Sequence, residues 1–207
     1  MPAESIRFLR RGEVRACLAK LDAGEVVTET LRQHALGRTR LPSEGYLGWT
    51  DSAGAANRSI AMLGAVPVTG GTAYGLKLIN ASLGNPGRGL ERAGGVGVLF
   101  DPETARPALI AEAGLLSAVR TAAYTVVSLR ELGPPEFDAV SLIGAGTLAA
   151  AHLDALVAAF PELRRCRLYD LDPARAEHWA AEARPGTPGS TSAPRPTPGR
   201  PPRPPRS

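Results

Sequence analysis

Cysteine is nearly missing from this chain: of 207 residues only Cys17 and Cys166 carry a thiol. They lie far apart in unrelated contexts, which excludes a disulfide framework or a cysteine-based metal site and reads as two reduced thiols. Histidine is as sparse, and His34, His152 and His178 share no metal-ligand spacing. His152 falls two turns into a helical stretch and reads as a packing or surface residue. No apolar run approaches the roughly 20 residues that span a bilayer, and the N-terminus lacks the apolar core of a signal peptide, so a cytoplasmic location is expected. Lysine occurs twice against 22 arginines, beside abundant Ala, Gly and Pro. That bias is typical of GC-rich coding sequence and says little about function. Acidic residues are absent from Pro185 to Ser207, a stretch with nine prolines, four arginines and no aliphatic side chain larger than Ala193. Such a segment cannot bury a core and is expected to be disordered or polyproline-like. The net charge of +4 therefore belongs to this tail and the body is neutral, which removes the case for nucleic-acid binding from a pI near 9.5.

What is present is concentrated between residues 139 and 170. Ala139-Val-Ser-Leu-Ile143 is a short apolar run suited to a buried parallel strand. It breaks into Gly144-Ala-Gly146-Thr147-Leu-Ala149, a G-x-G-x-x-A string, and a helical stretch follows to Phe160. Cys166-Arg-Leu-Tyr169 reads as a second strand, and Asp170 at its end lies 26 positions after Gly144. Strand, glycine turn, helix, strand and acid in this order describe one half of a Rossmann dinucleotide-binding unit. Gly144 permits the tight turn, Gly146 lets the backbone approach a pyrophosphate, and the helix that opens there offers free N–H groups. The competing reading is a doubly wound domain that binds no nucleotide.

Upstream, Gly12–Lys20 and Gly24–Leu36 suit helices, the second with Val27, Leu31 and Ala35 along one face. Arg38–Tyr46 reads as irregular. Short strands are expected at Arg58–Met62, Tyr74–Asn80, Gly95–Phe100 and Ala108–Ala111, then a long helix from Leu115 to Leu132 ended by Gly133-Pro134-Pro135. The fold class expected is α/β: an α+β substrate and dimerisation domain over residues 1–133, an incomplete parallel-sheet Rossmann domain over 134–184 and a tail over 185–207.

Tyr74-Gly-Leu-Lys77-Leu-Ile-Asn80, Asn85-Pro86, Gly97-Val-Leu-Phe-Asp101, Ala111-Glu112 and Ser117-Ala-Val-Arg120-Thr121-Ala-Ala123 occur in order ahead of the glycine turn. Together they resemble the ornithine cyclodeaminase/μ-crystallin family, from roughly Arg38 to Trp179. Asn57-Arg58-Ser-Ile-Ala-Met62 and Leu90-Glu91-Arg92-Ala93 resemble the branch that oxidises N-(2-amino-2-carboxyethyl)-L-glutamate to release 2,3-diaminopropionate for siderophores and peptide antibiotics. The resemblance implies an NAD-dependent amino-acid dehydrogenase or deaminase, built as a homodimer through the substrate domain, with no nucleic-acid or membrane partner. Ornithine cyclodeamination is the alternative within the family. A non-catalytic ligand-binding or dimerising protein is the alternative outside it.

The same resemblance assigns candidate roles. Lys77 and Arg120 match the substrate lysine and the carboxylate-binding arginine, whose guanidinium can grip a carboxylate through two hydrogen bonds. Arg58 adds a further carboxylate contact or is a plain strand residue. Thr121 lies near the cofactor or packs within its helix. Gly144, Gly146 and Thr147 cradle the phosphates, and Asp170 accepts the adenosine ribose hydroxyls, favouring NAD over NADP. Glu112 orders the site or pairs with an arginine, and Asn85 shapes a substrate loop or makes a turn.

Three departures stand against the family pattern. Leu63 follows Met62 where proline is expected, Gly48 stands where several relatives carry arginine, and the pattern stops near Ala183. No counterpart of the family's catalytic aspartate is found, so no residue here is assigned as catalytic and the chain is expected to be a truncated, weakly active or inactive form. Two strands of the nucleotide sheet are expected, with a frameshift or truncation as the favoured reading of the tail and a short binding protein as the other.

Overall fold

Apolar residues dominate residues 60 to 68 and 73 to 79, and in the computed structural model the stretch from 56 to 82 folds into a long hairpin. The structure describes residues 6–134, 136–182 and the strand at 189–192. The chain divides into two units, Met1–Gly133 and Pro134–Ser207.

The first unit is a six-stranded sheet with three helices. Its strands are β1 (Arg7–Leu9), β2 (Gly45–Thr50), β3 (Ala56–Val68), β4 (Gly71–Ser82), β5 (Ala93–Phe100) and β6 (Pro107–Glu112). They lie in the order β1-β6-β5-β4-β3-β2. All neighbours are antiparallel except β1 and β6. The β3–β4 hairpin closes on Gly70 at φ +88°, a left-handed conformation that glycine adopts without a Cβ penalty. The helices are α1 (Arg11–Leu18), α2 (Ala23–Ala35) and α3 (Gly114–Leu132). Asp22 caps α2 by accepting from the N–H groups of Gly24 and Glu25 at 2.8 and 3.0 Å. α3 packs against α1, α2 and β5, and its small residues Ala118, Ala122 and Ala123 are buried with Val126 and Val127.

The second unit contains β7 (Ala139–Ile143), α4 (Thr147–Ala159), β8 (Arg165–Tyr169), α5 (Pro173–Glu182) and β9 (Gly189–Ser192). Its three strands run parallel in the order β7-β8-β9. Cys166 and Leu168 on β8 are fully buried, and Leu168 packs with Ala145, Ala176, Leu142 and Trp179.

Several expectations change. β3 and β4 run past their expected bounds, Arg58–Met62 and Tyr74–Asn80, because Gly64, just beyond the first, sits within the ladder opposite Gly75. A Cβ on Gly75 would lie 2.4 Å from the Val98 carbonyl oxygen, so this glycine permits close strand approach. The stretch expected to be irregular, Arg38–Tyr46, runs into β2 at Gly45 and Tyr46; β2 is an edge strand exposed along its length, and so has no buried alternation to read. β7 was expected to be buried. Among the described residues it pairs only with β8, and Ile143 is 88% exposed. The tail expectation is corrected at Gly189–Ser192, which pairs with β8 as a third strand where two were expected. A parallel ladder is held by backbone hydrogen bonds, so a polar Gly-Ser-Thr-Ser string can extend it. Pro135 and the other tail residues lie outside the described residues.

Gly95 is the tightest point of the sheet: a Cβ there would fall 1.9 Å from the Leu78 carbonyl oxygen. Gly95→Ala is expected to cost about 1–3 kcal/mol or more. Gly87→Ala, where nothing lies within 4 Å, is expected to leave stability nearly unchanged. Urea denaturation of the two variants beside the parent checks this.

Candidate substrate and nucleotide sites

Register places the substrate candidates. Met62, Lys77, Gly97, Ala111 and Leu9 face one another in sequence across five strands, so their side chains share one sheet face. α3 covers this face at Lys77, whose Nζ donates to Ser117 Oγ at 3.4 Å. A cavity of about 820 Å³ opens here, lined by Lys77 and Arg120 among apolar side chains such as Val27, Leu31, Met62 and Tyr124. The Lys77 ammonium is half-buried. Desolvation and then the Arg120 charge lower its pKa from 10.5 to about 8, against an opposing pull from Glu44. Two cations held together in a largely apolar cavity, with no carboxylate hydrogen-bonded to either among the described residues, form a receptor for an anion.

Arg58 lies on the same face, four residues before Met62 on β3, opposite Gly48 of β2. The offset is about 14 Å along the strand, so Arg58 does not share a single carboxylate with the Lys77–Arg120 pair. Tyr46, Ile60, Ile79 and Gly95 form the row between them. Thr121 spends its hydroxyl on the Ser117 carbonyl at 2.6 Å, a bond within α3. Asn85 precedes a short 3₁₀ turn, Pro86–Arg88, and its amide donates to the Glu91 carbonyl at 3.1 Å. Glu112 accepts from the Gly114 N–H at 2.7 Å and lies 3.9 Å from Arg11.

The second unit brings Gly144, Gly146, Thr147 and Asp170 together. Gly144 sits at φ +97°, so the turn itself requires glycine. Gly146 is different: its φ is −102° and a Cβ would meet nothing within 4 Å. The protein alone does not demand glycine there, whereas a pyrophosphate approaching the backbone would. Gly146 caps α4 without a side-chain hydrogen bond, which leaves the helix start open to an anion. Asp170 closes the turn by accepting from the Ala145 N–H at 2.7 Å and from the Asp172 N–H at 2.9 Å. Burial raises its pKa, but these backbone bonds and nearby Arg175 outweigh burial and hold it below the usual value. A carboxylate oxygen carries two lone pairs, so Asp170 retains capacity for ribose hydroxyls. These residues fit a dinucleotide.

Sequence reasoning assigned no role to Ser117, although it stood inside the quoted Ser117–Ala123 string. It also missed Arg11, which had no local signal because its partner lies 80 residues away.

The sequence model of the ornithine cyclodeaminase/mu-crystallin family matches residues 6–188. N-((2S)-2-amino-2-carboxyethyl)-L-glutamate dehydrogenase of Staphylococcus aureus is 35% identical over 150 residues, 70% of this chain and 44% of that protein. A crystal structure of CmnK superposes with a TM-score of 0.86 at 53% identity, covering 92% of this chain and 57% of that one. An archaeal alanine dehydrogenase dimer with bound NAD superposes at 0.77 with 25% identity, over 91% and 56%. The chain thus spans about half the length of the relatives it matches. No helix among the described residues is long and apolar enough to cross a membrane.

Protonated Lys77 is the form that attracts a carboxylate, and it is lost as pH rises through about 8. Carboxylate binding measured by calorimetry is therefore expected to be strongest below that pH and to weaken above it. Lys77→Arg keeps the charge and is expected to flatten the profile. Stability runs the other way: the unfolded lysine binds its proton up to about 10.5, so folding gains with pH between about 8 and 10.5.

Proposed function

Because the chain belongs to the ornithine cyclodeaminase/mu-crystallin family, we propose that it serves NAD-dependent oxidation of an N-substituted amino acid, N-(2-amino-2-carboxyethyl)-L-glutamate, to release 2,3-diaminopropionate. The observation that carries this reading is the cation array on one sheet face: Lys77 and Arg120 together, with Arg58 about 14 Å along the strand beyond an apolar row. A substrate with several carboxylates satisfies both positions. Ornithine would bring its side-chain ammonium toward Arg58, and like charges repel.

NAD⁺, when bound, supplies hydride acceptance at its nicotinamide ring. The chain's own work is to hold and orient. Lys77 and Arg120 fix one carboxylate, which sets the direction of the adjacent α C–H bond. Arg58 holds a second carboxylate and limits rotation about the first. Pairing with the carboxylate raises the Lys77 proton affinity, so the ammonium persists in the complex. With the hydride passed to NAD⁺, the substrate nitrogen would be left in an imine that water would hydrolyse to 2-oxoglutarate and 2,3-diaminopropionate, and the chain's residues would hold that substrate throughout. Gly144, Gly146 and the start of α4 hold the pyrophosphate, and Asp170 the ribose.

The other sheet face supports the dimer we also propose. Phe8, Ile110, Val98, Leu76 and Leu63 form an apolar row across five strands, with Phe8 and Leu63 about half exposed. A second copy would cover this row. Leu63→Glu is expected to shift the protein toward monomer in sedimentation equilibrium.

The deciding experiment incubates the protein with NAD⁺ and either N-(2-amino-2-carboxyethyl)-L-glutamate or ornithine, reading reduced-nicotinamide absorbance and the released amine by mass spectrometry. Slow turnover of the first and none of the second is expected. Turnover of ornithine alone overturns the substrate assignment, and ligand binding without turnover in either case establishes the non-catalytic reading. Arg58→Gln is expected to weaken binding of the multi-carboxylate substrate by about tenfold to a hundredfold, the value of one charge-assisted hydrogen bond, without weakening ornithine binding.

A further inference from the structure

Arg11 is the first residue of α1, where the positive end of a helix disfavours a cation. Helix stability does not ask for arginine there. Its guanidinium instead bonds both oxygens of Glu91, 80 residues away, at 2.6 and 2.8 Å, and lies 3.9 Å from Glu112 Oε1. The Glu112 carboxylate in turn accepts from the Gly114 and Leu115 N–H groups at 2.7 and 3.1 Å, in the first turn of α3. Gly114 leaves room for this contact, since a Cβ there would lie 2.5 Å from Glu112 Oε1. The loop bearing Glu91 is tethered as well: Asn85 donates to the Glu91 carbonyl at 3.1 Å, and the Ser82 N–H to the Arg92 carbonyl at 2.9 Å. Within the next two turns α3 presents Ser117 to Lys77 and carries Arg120 beside it.

We infer that Arg11, Glu91 and Glu112 form a positioning relay that fixes the first turns of α3 and so sets Arg120 and Ser117 against Lys77. Glu91, in the Leu90-Glu91-Arg92 string that marks the sequence, is then a positioning residue for the anion-binding cations and touches no substrate. That these cations hold a substrate carboxylate rests on the proposed function; the relay itself does not. An ion pair with both partners over a third exposed adds little to global stability, so its effect is local.

The chain has two lysines, Lys20 and Lys77, so ¹³C labelling at the lysine ε-carbon gives two NMR signals with Lys20 as internal reference. The informative variants are Glu91→Gln and Arg11→Lys, because relay and bare charge effects differ in sign. Removing an acid lowers a neighbouring lysine's pKa by Coulomb's law, and exchanging arginine for lysine leaves it unchanged. Loosening α3 does the opposite: Lys77 loses Arg120 and part of its burial, and its midpoint rises from about 8 toward 10.5. The relay predicts this rise in both variants, with Lys20 unmoved and the melting temperature near that of the parent. A Lys77 curve that stays in place or falls in both variants overturns it. So does an equal rise in Arg32→Ala, which breaks an unrelated exposed pair with Glu29. Arg11→Lys keeps the test available should Glu91→Gln fail to fold. Calorimetry of N-(2-amino-2-carboxyethyl)-L-glutamate with the parent chain is a separate arm. Absence of binding there overturns the substrate assignment and leaves the ligand-free Lys77 titration, and the relay, standing.

Discussion

The antiparallel register of β3, β4 and β5 is the constraint on which the first unit depends. A strand's side chains alternate between faces, so a slip of one residue would carry Lys77 from the cavity under α3 to the opposite face. The same slip would move Leu63, Leu76 and Val98 from the apolar face to the cationic one. Two glycines guard against it. Gly75 and Gly95 allow contacts that any Cβ would forbid, at 2.4 and 1.9 Å from neighbouring carbonyl oxygens. Displaced by one position, β4 would bring Tyr74 or Leu76 to the first of those carbonyls, and β5 displaced in one direction would bring Val96 to the second. The ladder that orders the sheet therefore also decides which face carries Lys77 and Arg58 and which is left apolar.

Placing Lys77 and Arg120 together is unfavourable in isolation. Half-burial strips water from the ammonium, and the neighbouring guanidinium repels it, which together pull its pKa to about 8. A pair that existed for stability would include a carboxylate, as Arg165–Asp138 and Arg32–Glu29 do on the surface. Unfavourable charge proximity in a cavity is a common mark of a site that an incoming ligand completes. The opposed apolar row of Phe8, Leu63 and their neighbours is the second unsatisfied surface of the same sheet. One sheet thus presents two separate demands, one for an anion and one for an apolar partner.

Some of this was legible in the sequence because its physics is local. Gly144-Ala-Gly146 announced a left-handed turn and an open helix start, and both are present within five residues. Asp170 could be read from its place at the end of β8. α2 followed from its apolar periodicity, and the end of α3 from Gly133-Pro134-Pro135. β1 and β2 were not legible: the first is three residues held by a parallel partner 102 positions away, and the second is exposed throughout. Ser117 was hidden by the ordinary frequency of serine in helices. Arg11 and Glu91 were hidden because only the closed fold brings them within bonding distance.

These two modes of construction bear on how far likeness to relatives carries. The glycine turn of the second unit is specified by a handful of consecutive residues, so similarity through that stretch transmits its geometry with little loss. The substrate face is specified by register across five strands and by a helix whose start is tied to α1 and to the loop at Glu91. A relative can share Lys77 and Arg120 and yet differ in the row between Lys77 and Arg58, where Gly48 stands opposite the arginine. Substrate choice depends on that distance and on what fills it. On the proposed reading, family membership bears more on the class of chemistry than on the identity of the amino acid, and the spacing of Arg58 and Lys77 on β3 and β4 is the feature by which substrates would be told apart.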